Sequence, residues 1–126
     1  MVLGDAFVRR VGKDGHHLWV VASDPFQNDR DVLILNLTSI RNSPFDDRSC
    51  VFDAGDHPWI RHETFVNYYR SESHSDRYLD NLVSSGAAKM WDPFTREQLE
   101  RIWAGAAATL NLIGDHLQIL KDQGRV

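Results

Sequence analysis

The spacing of apolar residues changes once along this chain, near residue 75, and this change restricts the fold class more than any other feature. Before it, apolar residues occur in short runs rich in β-branched and aromatic types, which is typical of strands. After it, they recur every three or four residues, which is typical of helices with one buried face. The sequence therefore predicts an α+β protein in a single domain, with a β-rich part over residues 1–73, a short helix over 75–86 and a long C-terminal helix over 93–122.

Two runs at the centre of the β-rich part predict a pair of strands. HLWVVAS (His17–Ser23) and DVLILNLTS (Asp31–Ser39) are separated by DPFQNDR, a polar connector rich in turn formers, which indicates a β-hairpin. The second run is almost continuously apolar, so we expect a central strand buried on both faces. Further short strands are predicted at CVFDA and TFVNYYRSES. Together they indicate a small barrel or a strongly twisted sheet of five to six strands.

Helix signals mark the last third of the chain. SDRYLDNLVSSG predicts the short helix, with Gly86 as its C-terminal stop, and Thr95 with Gln98 fits a capping box at the start of the long one. The small residues 105–108 would allow another backbone to approach closely. A helix this long exceeds what so small a β-rich part can cover, so we expect part of its apolar stripe to pair with a second copy of the chain. That stripe comprises Leu99, Ile102, Trp103, Ala106, Leu110, Ile113, Leu117 and Leu120.

Composition restricts the cellular compartment and the kinds of partner that we expect. Cys50 is the only cysteine, which excludes an intramolecular disulfide and fits a reducing compartment. No apolar run approaches the roughly 18 residues of a membrane span, and the N-terminal segment lacks the apolar core of a signal peptide, so we expect a cytoplasmic protein. A net charge of −4 gives no general attraction to nucleic acid. Any polyanion would therefore have to bind at a local basic surface.

Chemically active side chains are densest in DAGDHPWIRHETFVNYYR, from Asp53 to Arg70. Gly-Asp-His-Pro predicts a turn, because Gly55 can take a positive φ and Pro58 favours an extended His57. Histidine transfers protons near neutral pH, arginine grips two phosphate oxygens at once, and aromatic rings can stack on an unpaired base. The segment is therefore the best candidate for a site. Its members of these three kinds are His57, Trp59, Arg61, His62, Tyr68, Tyr69 and Arg70.

A second polar feature interrupts the central strand. Asn36 and Thr38 alternate with apolar residues, and alternate residues of a strand share a face, so we expect the two side chains to lie together. The same rule predicts that the neighbours Arg61 and His62, if they belong to a strand, point to opposite faces, so that at most one of them can join a given site.

The order of these segments resembles the PemK/MazF-type toxins of toxin–antitoxin systems. Strand HLWVVASD, strand DVLILNLTS, the block GDHPWIRHETFVNYYR, a connecting helix and a tail with ERIWAGAAAT follow one another. The block is similar to one found in small bacterial and phage-encoded proteins assigned to that superfamily. The resemblance implies an SH3-like (PemK/MazF-like) β-barrel with helices, a homodimer, an antitoxin partner, and sequence-selective RNA cleavage without a metal or other cofactor.

The resemblance also implies roles for particular residues. Well-studied members use an Arg from an early loop beside a Thr or Ser at the end of a central strand. Here Thr38 or Ser39 matches the hydroxyl position, and Arg30 is the only arginine in the loop DPFQNDR. For ribonuclease chemistry we predict His57 and His62 as the acid/base pair and Arg61 as the phosphate clamp, beside Thr38. The predicted binding residues are Asn36, Arg30, Trp59, Tyr68 and Arg70.

Two other functions stay open at the level of sequence. One is a non-catalytic module of the same fold that binds a protein or nucleic acid, which suits the net acidity. The other is a metal-dependent hydrolase, because a group of N, O and S donors could hold zinc, although their spacing matches no standard zinc site. We therefore assign no metal ligand. The donors are Cys50, Asp53, Asp56, His57 and His62.

Overall fold

A six-stranded antiparallel sheet forms the framework of the computed structural model, which describes all 126 residues. The order across the sheet is β4-β5-β3-β2-β1-β6, so the predicted hairpin of β2 and β3 is confirmed and β3 is an inner strand. The edge strands β4 and β6 do not pair with each other. In chain order the strands are β1 (Ala6–Arg10), β2 (His16–Val21), β3 (Asp31–Ser39), β4 (Val51–Phe52), β5 (Thr64–Ser75) and β6 (Ala88–Trp91).

Three α-helices complete the fold: α1 (Asp76–Ser84), α2 (Arg96–Ala108) and α3 (Gly114–Asp122). The predicted short helix is present as α1. The β-rich part is not confined to residues 1–73, because β6 follows α1 and pairs with β1. None of the three helices combines the length and apolar character needed to cross a bilayer.

Strand β3 divides the core into two clusters. Every residue from Val32 to Leu37 is buried, as predicted for a central strand. Leu33, Leu35 and Leu37 belong to the larger cluster, with Ile102 and Trp103 of α2. The even-numbered face of β3 packs in the smaller cluster, which includes Leu79 of α1. The sheet is therefore covered by different helices on its two faces.

The predicted long helix over 93–122 is wrong, since α2 and α3 are separate. The capping box of Thr95 and Gln98 does begin α2, but the helix ends at Ala108 and Thr109 is extended. The Asp47 carboxylate, from the loop before β4, accepts hydrogen bonds from the Thr109 hydroxyl and from Nδ2 of Asn111 at 3.0 Å. These contacts turn the chain outward, and Leu110, placed in the apolar stripe by its spacing, is 99% exposed.

Candidate active site

A cleft of about 330 Å³ opens at the end of the sheet where β2 begins and β3 ends. The antiparallel register pairs Leu18 with Leu37, which places the start of β2 beside the last residues of β3. Segment 58–62, between β4 and β5, forms another wall. Leu18, Leu37 and Ile60 are its apolar lining. The polar and aromatic lining residues used below are His16, His17, Thr38, Ser39, Arg41, Trp59, Arg61 and His62.

Arg61 and His62 are both exposed, and both line this cleft. The expectation that only one of them could join a site is wrong, because β5 begins at Thr64 and the two residues precede the strand. The Thr64 hydroxyl donates to the backbone carbonyl of His62 at 2.9 Å, which fixes this segment where it enters β5. Strand alternation therefore does not apply to them.

His57 lies outside the cleft and is 2% exposed. Its Nδ1 accepts the backbone N–H of Trp59 at 3.1 Å, so the proton of the neutral ring is on Nε2, which donates to the Asp92 carbonyl at 2.6 Å. The ring also stacks on Phe94, with 4.9 Å between centroids. With both nitrogens engaged inside the protein, His57 cannot form an acid/base pair with His62 across the cleft.

Thr38 lines the cleft with its hydroxyl already oriented. Its Oγ1 donates to Oδ1 of Asn36 at 2.6 Å and accepts from Nδ2 of Asn67 at 3.4 Å. Asn36 and Thr38 thus lie together, as strand alternation predicts. Asn36 is fully buried and does not line the cleft, so the structure places it behind Thr38. The remaining lone pair of the Thr38 oxygen is therefore the feature that this hydroxyl can offer a ligand.

Three other predicted residues lie away from the cleft. Arg30 forms an ion pair with Asp76 at the start of β3. Thr38 is near the other end of that strand, roughly 25 Å away at about 3.3 Å per residue. Tyr68 is buried, its Oη donates to the Ile102 carbonyl at 2.7 Å, and burial raises its pKa well above the usual range. Arg70 pairs at 2.9 Å with Asp14, which does line the cleft.

Trp59 is the predicted aromatic residue that lies in the cleft. Its ring is half-buried and meets the ring of Trp91 edge-on, with 5.2 Å between centroids. The pair forms an aromatic wall on which a splayed base could stack.

His16, His17 and Arg41 also line the cleft, although the sequence did not single them out as catalytic or binding residues. His17 is half-buried, and its Nδ1 lies 3.1 Å from the Leu37 carbonyl. A carbonyl only accepts, so this contact puts the proton on Nδ1 and leaves Nε2 as the acceptor of the neutral ring. The predicted hairpin could have indicated His16 and His17, because in an antiparallel hairpin the first residues of β2 lie beside the last residues of β3.

The cleft is a local basic surface on an acidic protein. Arg41 and Arg61 line it, and neither side chain forms an ion pair within the chain. The one carboxylate in the lining, Asp14, is neutralised by Arg70. Against the net charge of −4, these side chains supply the local attraction that a polyanion would need.

The donors considered for zinc do not converge. No group of three or more His, Cys, Asp or Glu side chains is placed to hold a metal ion. Burial raises the pKa of the Cys50 thiol to about 11, and this side chain packs in the larger core cluster. Cys50 is therefore a core residue, and the donors that suggested a metal-dependent hydrolase do not form a metal site.

Comparison with known proteins is informative at the level of the fold. No family model matches the chain, and no curated protein matches it. Among solved structures, an endoribonuclease in complex with its cognate antitoxin, from a mycobacterial species, matches with a TM-score of 0.52 at 18% sequence identity. The match covers 90% of this chain and 98% of that chain. The two proteins therefore share an α+β fold over nearly their whole lengths.

Proposed function

We propose that the protein is a toxin-like endoribonuclease that cleaves RNA in the cleft between the β2–β3 end of the sheet and segment 58–62. The observation that carries the proposal is the set of side chains in one cleft: imidazoles, two guanidinium groups without ion pairs, a hydroxyl and an aromatic wall. The fold shared with an endoribonuclease supports it.

The chemistry can be completed by residues that line the cleft. Nε2 of His17 is the acceptor of the neutral ring and takes the proton of a ribose 2′-OH. The 2′-oxygen then bonds to phosphorus, and the departing 5′-oxygen takes a proton from His62, which leaves a cyclic phosphate. His17 thus takes the place predicted for His57.

Charge on the phosphorane oxygens needs cationic donors, and Arg41 and Arg61 are the guanidinium groups in reach of the cleft. Thr38 acts as an acceptor, because its own proton is committed to Asn36. It can orient the 2′-OH or a protonated imidazole. No step in this scheme requires a metal or other cofactor.

The test is cleavage of a mixed RNA pool by purified protein, together with growth arrest on induced expression. We expect His17→Ala and His62→Ala each to lower the cleavage rate by about 10²- to 10⁴-fold, the range for a general acid or base. Arg77→Gln is the control, since this exposed residue lies on α1 and does not line the cleft. Absence of cleavage and of toxicity with the unmodified protein would overturn the proposal.

Two partners belong to this proposal. An antitoxin is supported by the structural neighbour, which was solved with its cognate antitoxin. A homodimer stays a prediction. The long helix that suggested it is two helices, and the apolar residues of the predicted stripe that remain exposed are mainly Leu110 and Ile113. Light scattering at micromolar concentration would measure twice the 14.5 kDa chain mass for a dimer.

The SH3-like barrel also stays a prediction. The structure has a six-stranded sheet whose edge strands, β4 and β6, do not pair with each other.

A non-catalytic binding module of the same fold is the second candidate. One observation favours it: the net charge of −4 opposes the approach of RNA. It predicts saturable binding of a protein or an oligonucleotide in the cleft without cleavage. The same RNA pool assay separates it from the ribonuclease.

A further inference from the structure

We infer that a second site, separate from the cleft, binds an oxyanion between Arg96 at the start of α2 and Arg125 in the C-terminal segment. Both arginines line a cavity of about 320 Å³, together with Glu100, Trp103, Ala104 and Gly124. None of these residues lines the cleft.

Trp103 provides a rigid platform for both cations. Its side chain is 4% exposed, and its Nε1 donates to the Ala22 carbonyl at 2.9 Å, so the indole is fixed against the sheet. The guanidinium carbon of Arg96 lies 4.9 Å from the centroid of this ring and that of Arg125 lies 4.6 Å from it. Cation–π attraction to one ring thus holds two positive charges beside a single cavity.

The Arg125 side chain has no polar partner within the chain. Arg125 is half-buried, its Nε is inaccessible and makes no hydrogen bond, and the guanidinium forms no ion pair. A guanidinium group without a carboxylate partner keeps its positive charge and its terminal N–H groups available to an anion. Arg96 has one carboxylate neighbour, Glu100, with Nε and Oε1 3.5 Å apart on an exposed part of the helix. The site is therefore short of one negative charge.

The segment that carries Arg125 is held in place before any ligand arrives. The Gln123 side chain brackets the backbone of Asp24, accepting from its N–H at 2.8 Å and donating to its carbonyl at 2.9 Å. The Arg125 N–H donates to the Leu120 carbonyl at 2.8 Å. Binding would therefore lose little chain freedom.

Guanidinium groups favour a group with two or more acceptor oxygens, so the ligand class is an oxyanion, either a phosphate or a carboxylate. On binding, it would accept from the terminal N–H groups of Arg125, because Nε is inaccessible, and it would compete with Glu100 for Arg96.

The experiment is titration of ¹⁵N-labelled protein with sodium phosphate, and separately with sodium acetate, at ionic strength held constant with chloride. We expect saturable shifts of the Arg125 Nε–H and Trp103 Nε1–H signals with at least one of the two anions, and the stronger of the two identifies the source. Arg125→Gln should lower the anion affinity measured from the Trp103 signal at least tenfold. Glu100→Gln should strengthen it severalfold, because the competing carboxylate is removed.

Two further variants keep the result decisive. Arg125→Lys retains the charge but not the two-pronged donor, so it should lower affinity severalfold even if Arg125→Gln fails to fold. Arg77→Gln should leave the titration unchanged. Shifts that do not saturate with either anion, or that persist in Arg125→Lys at full affinity, would overturn the assignment. RNA cleavage does not enter this readout, so the outcome is independent of the proposed ribonuclease activity.

Discussion

Two histidines five positions apart in one segment have opposite environments. His57 is 2% exposed, with both ring nitrogens hydrogen-bonded, whereas His62 is exposed and lines the cleft. His57 therefore fastens the turn of residues 57–59 to the Asp92–Phe94 segment. His62 is free to meet a ligand.

This contrast predicts that His57→Ala destabilises the fold and His62→Ala does not. The first change removes a stacked ring and leaves the Trp59 N–H and the Asp92 carbonyl unpaired, which together cost about 2–4 kcal/mol. The second is a surface change, expected to stay within about 0.5 kcal/mol. Urea unfolding of the two variants measures the difference. Equal midpoints would contradict this account of His57.

The sequence could identify the segment but not the role of each histidine. His57 is buried by Phe94 and bonded by Asp92, which lie far along the chain, and nothing in GDHPWIRH reveals those contacts. Arg30 failed as a candidate for a related reason. The family resemblance implied an Arg from this loop beside Thr38, but the loop DPFQNDR joins the opposite end of β3. His16 and His17 were within reach of prediction, since hairpin register alone places them beside Thr38 and Ser39.

At the scale of elements, the break between α2 and α3 is made by a residue from another part of the chain. Helical spacing of apolar residues continues through Leu110 and Ile113, so local pattern alone predicts one helix. Asp47 ends α2 instead, by accepting from Thr109 and Asn111. Tertiary hydrogen bonds thus override the periodic signal.

Asp47 should make stability depend on acid pH. Burial alone would raise its pKa, but hydrogen bonds from Ser49, Thr109 and Asn111 outweigh burial and lower the pKa below the ordinary 3.8. A carboxyl whose pKa is lower in the folded state stabilises the protein above the unfolded pKa, and that contribution is lost as pH falls through the folded pKa. The unfolding free energy should therefore decline below about pH 5.

Asp47→Asn isolates this contribution, because other carboxylates with lowered pKa, such as Glu72, remain in both proteins. We expect the variant to be about 1–2 kcal/mol less stable at pH 7, since hydrogen bonds to a charged acceptor are weakened and the site is partly screened by solvent. The difference should shrink toward zero near pH 2. Urea unfolding across this range measures it, and a constant difference would contradict the mechanism.

Gly105 and Gly114 form a matched pair for testing how α2 packs. A Cβ at Gly105 would overlap the Tyr68 hydroxyl and come within 2.8 Å of Cys50 Cβ, whereas one at Gly114 would meet nothing within 4 Å. Gly105→Ala should therefore destabilise by about 1–3 kcal/mol despite better helix propensity. Gly114→Ala should stabilise by about 0.5 kcal/mol. Thermal unfolding tests both, and a stabilised Gly105→Ala would show that the contact can relax.

At the scale of the molecule, the α+β class was predictable because one change of period separates strand-like from helix-like sequence. Strand β6 was not, because Ala88–Trp91 is four residues long and pairs with β1 at the other end of the sequence. Pairing between strands so far apart along the chain depends on the order of strands in the sheet, which local sequence patterns do not show. It also explains why the β-rich part extends past α1.

The acidity of the whole molecule sets how RNA binding should respond to salt. With a net charge of −4, long-range attraction is absent, so affinity must come from the few cations that touch phosphate in the cleft. Arg41 and Arg61 are the two guanidinium groups there. For a single strand, each phosphate neutralised contributes about −0.7 to the slope of log affinity against log salt, so we expect a slope of about −1.4.

A short 2′-O-methyl RNA, which lacks the nucleophilic hydroxyl, allows this slope to be measured by fluorescence anisotropy without cleavage. Arg61→Gln should reduce the slope by about half, because one of two phosphate contacts is lost, while Arg77→Gln should leave it unchanged. A slope several times steeper in the unmodified protein would mean that RNA contacts a broad basic surface outside the cleft. An unaltered slope in Arg61→Gln would remove this residue from the phosphate clamp, even if the cleft remained the place where RNA binds.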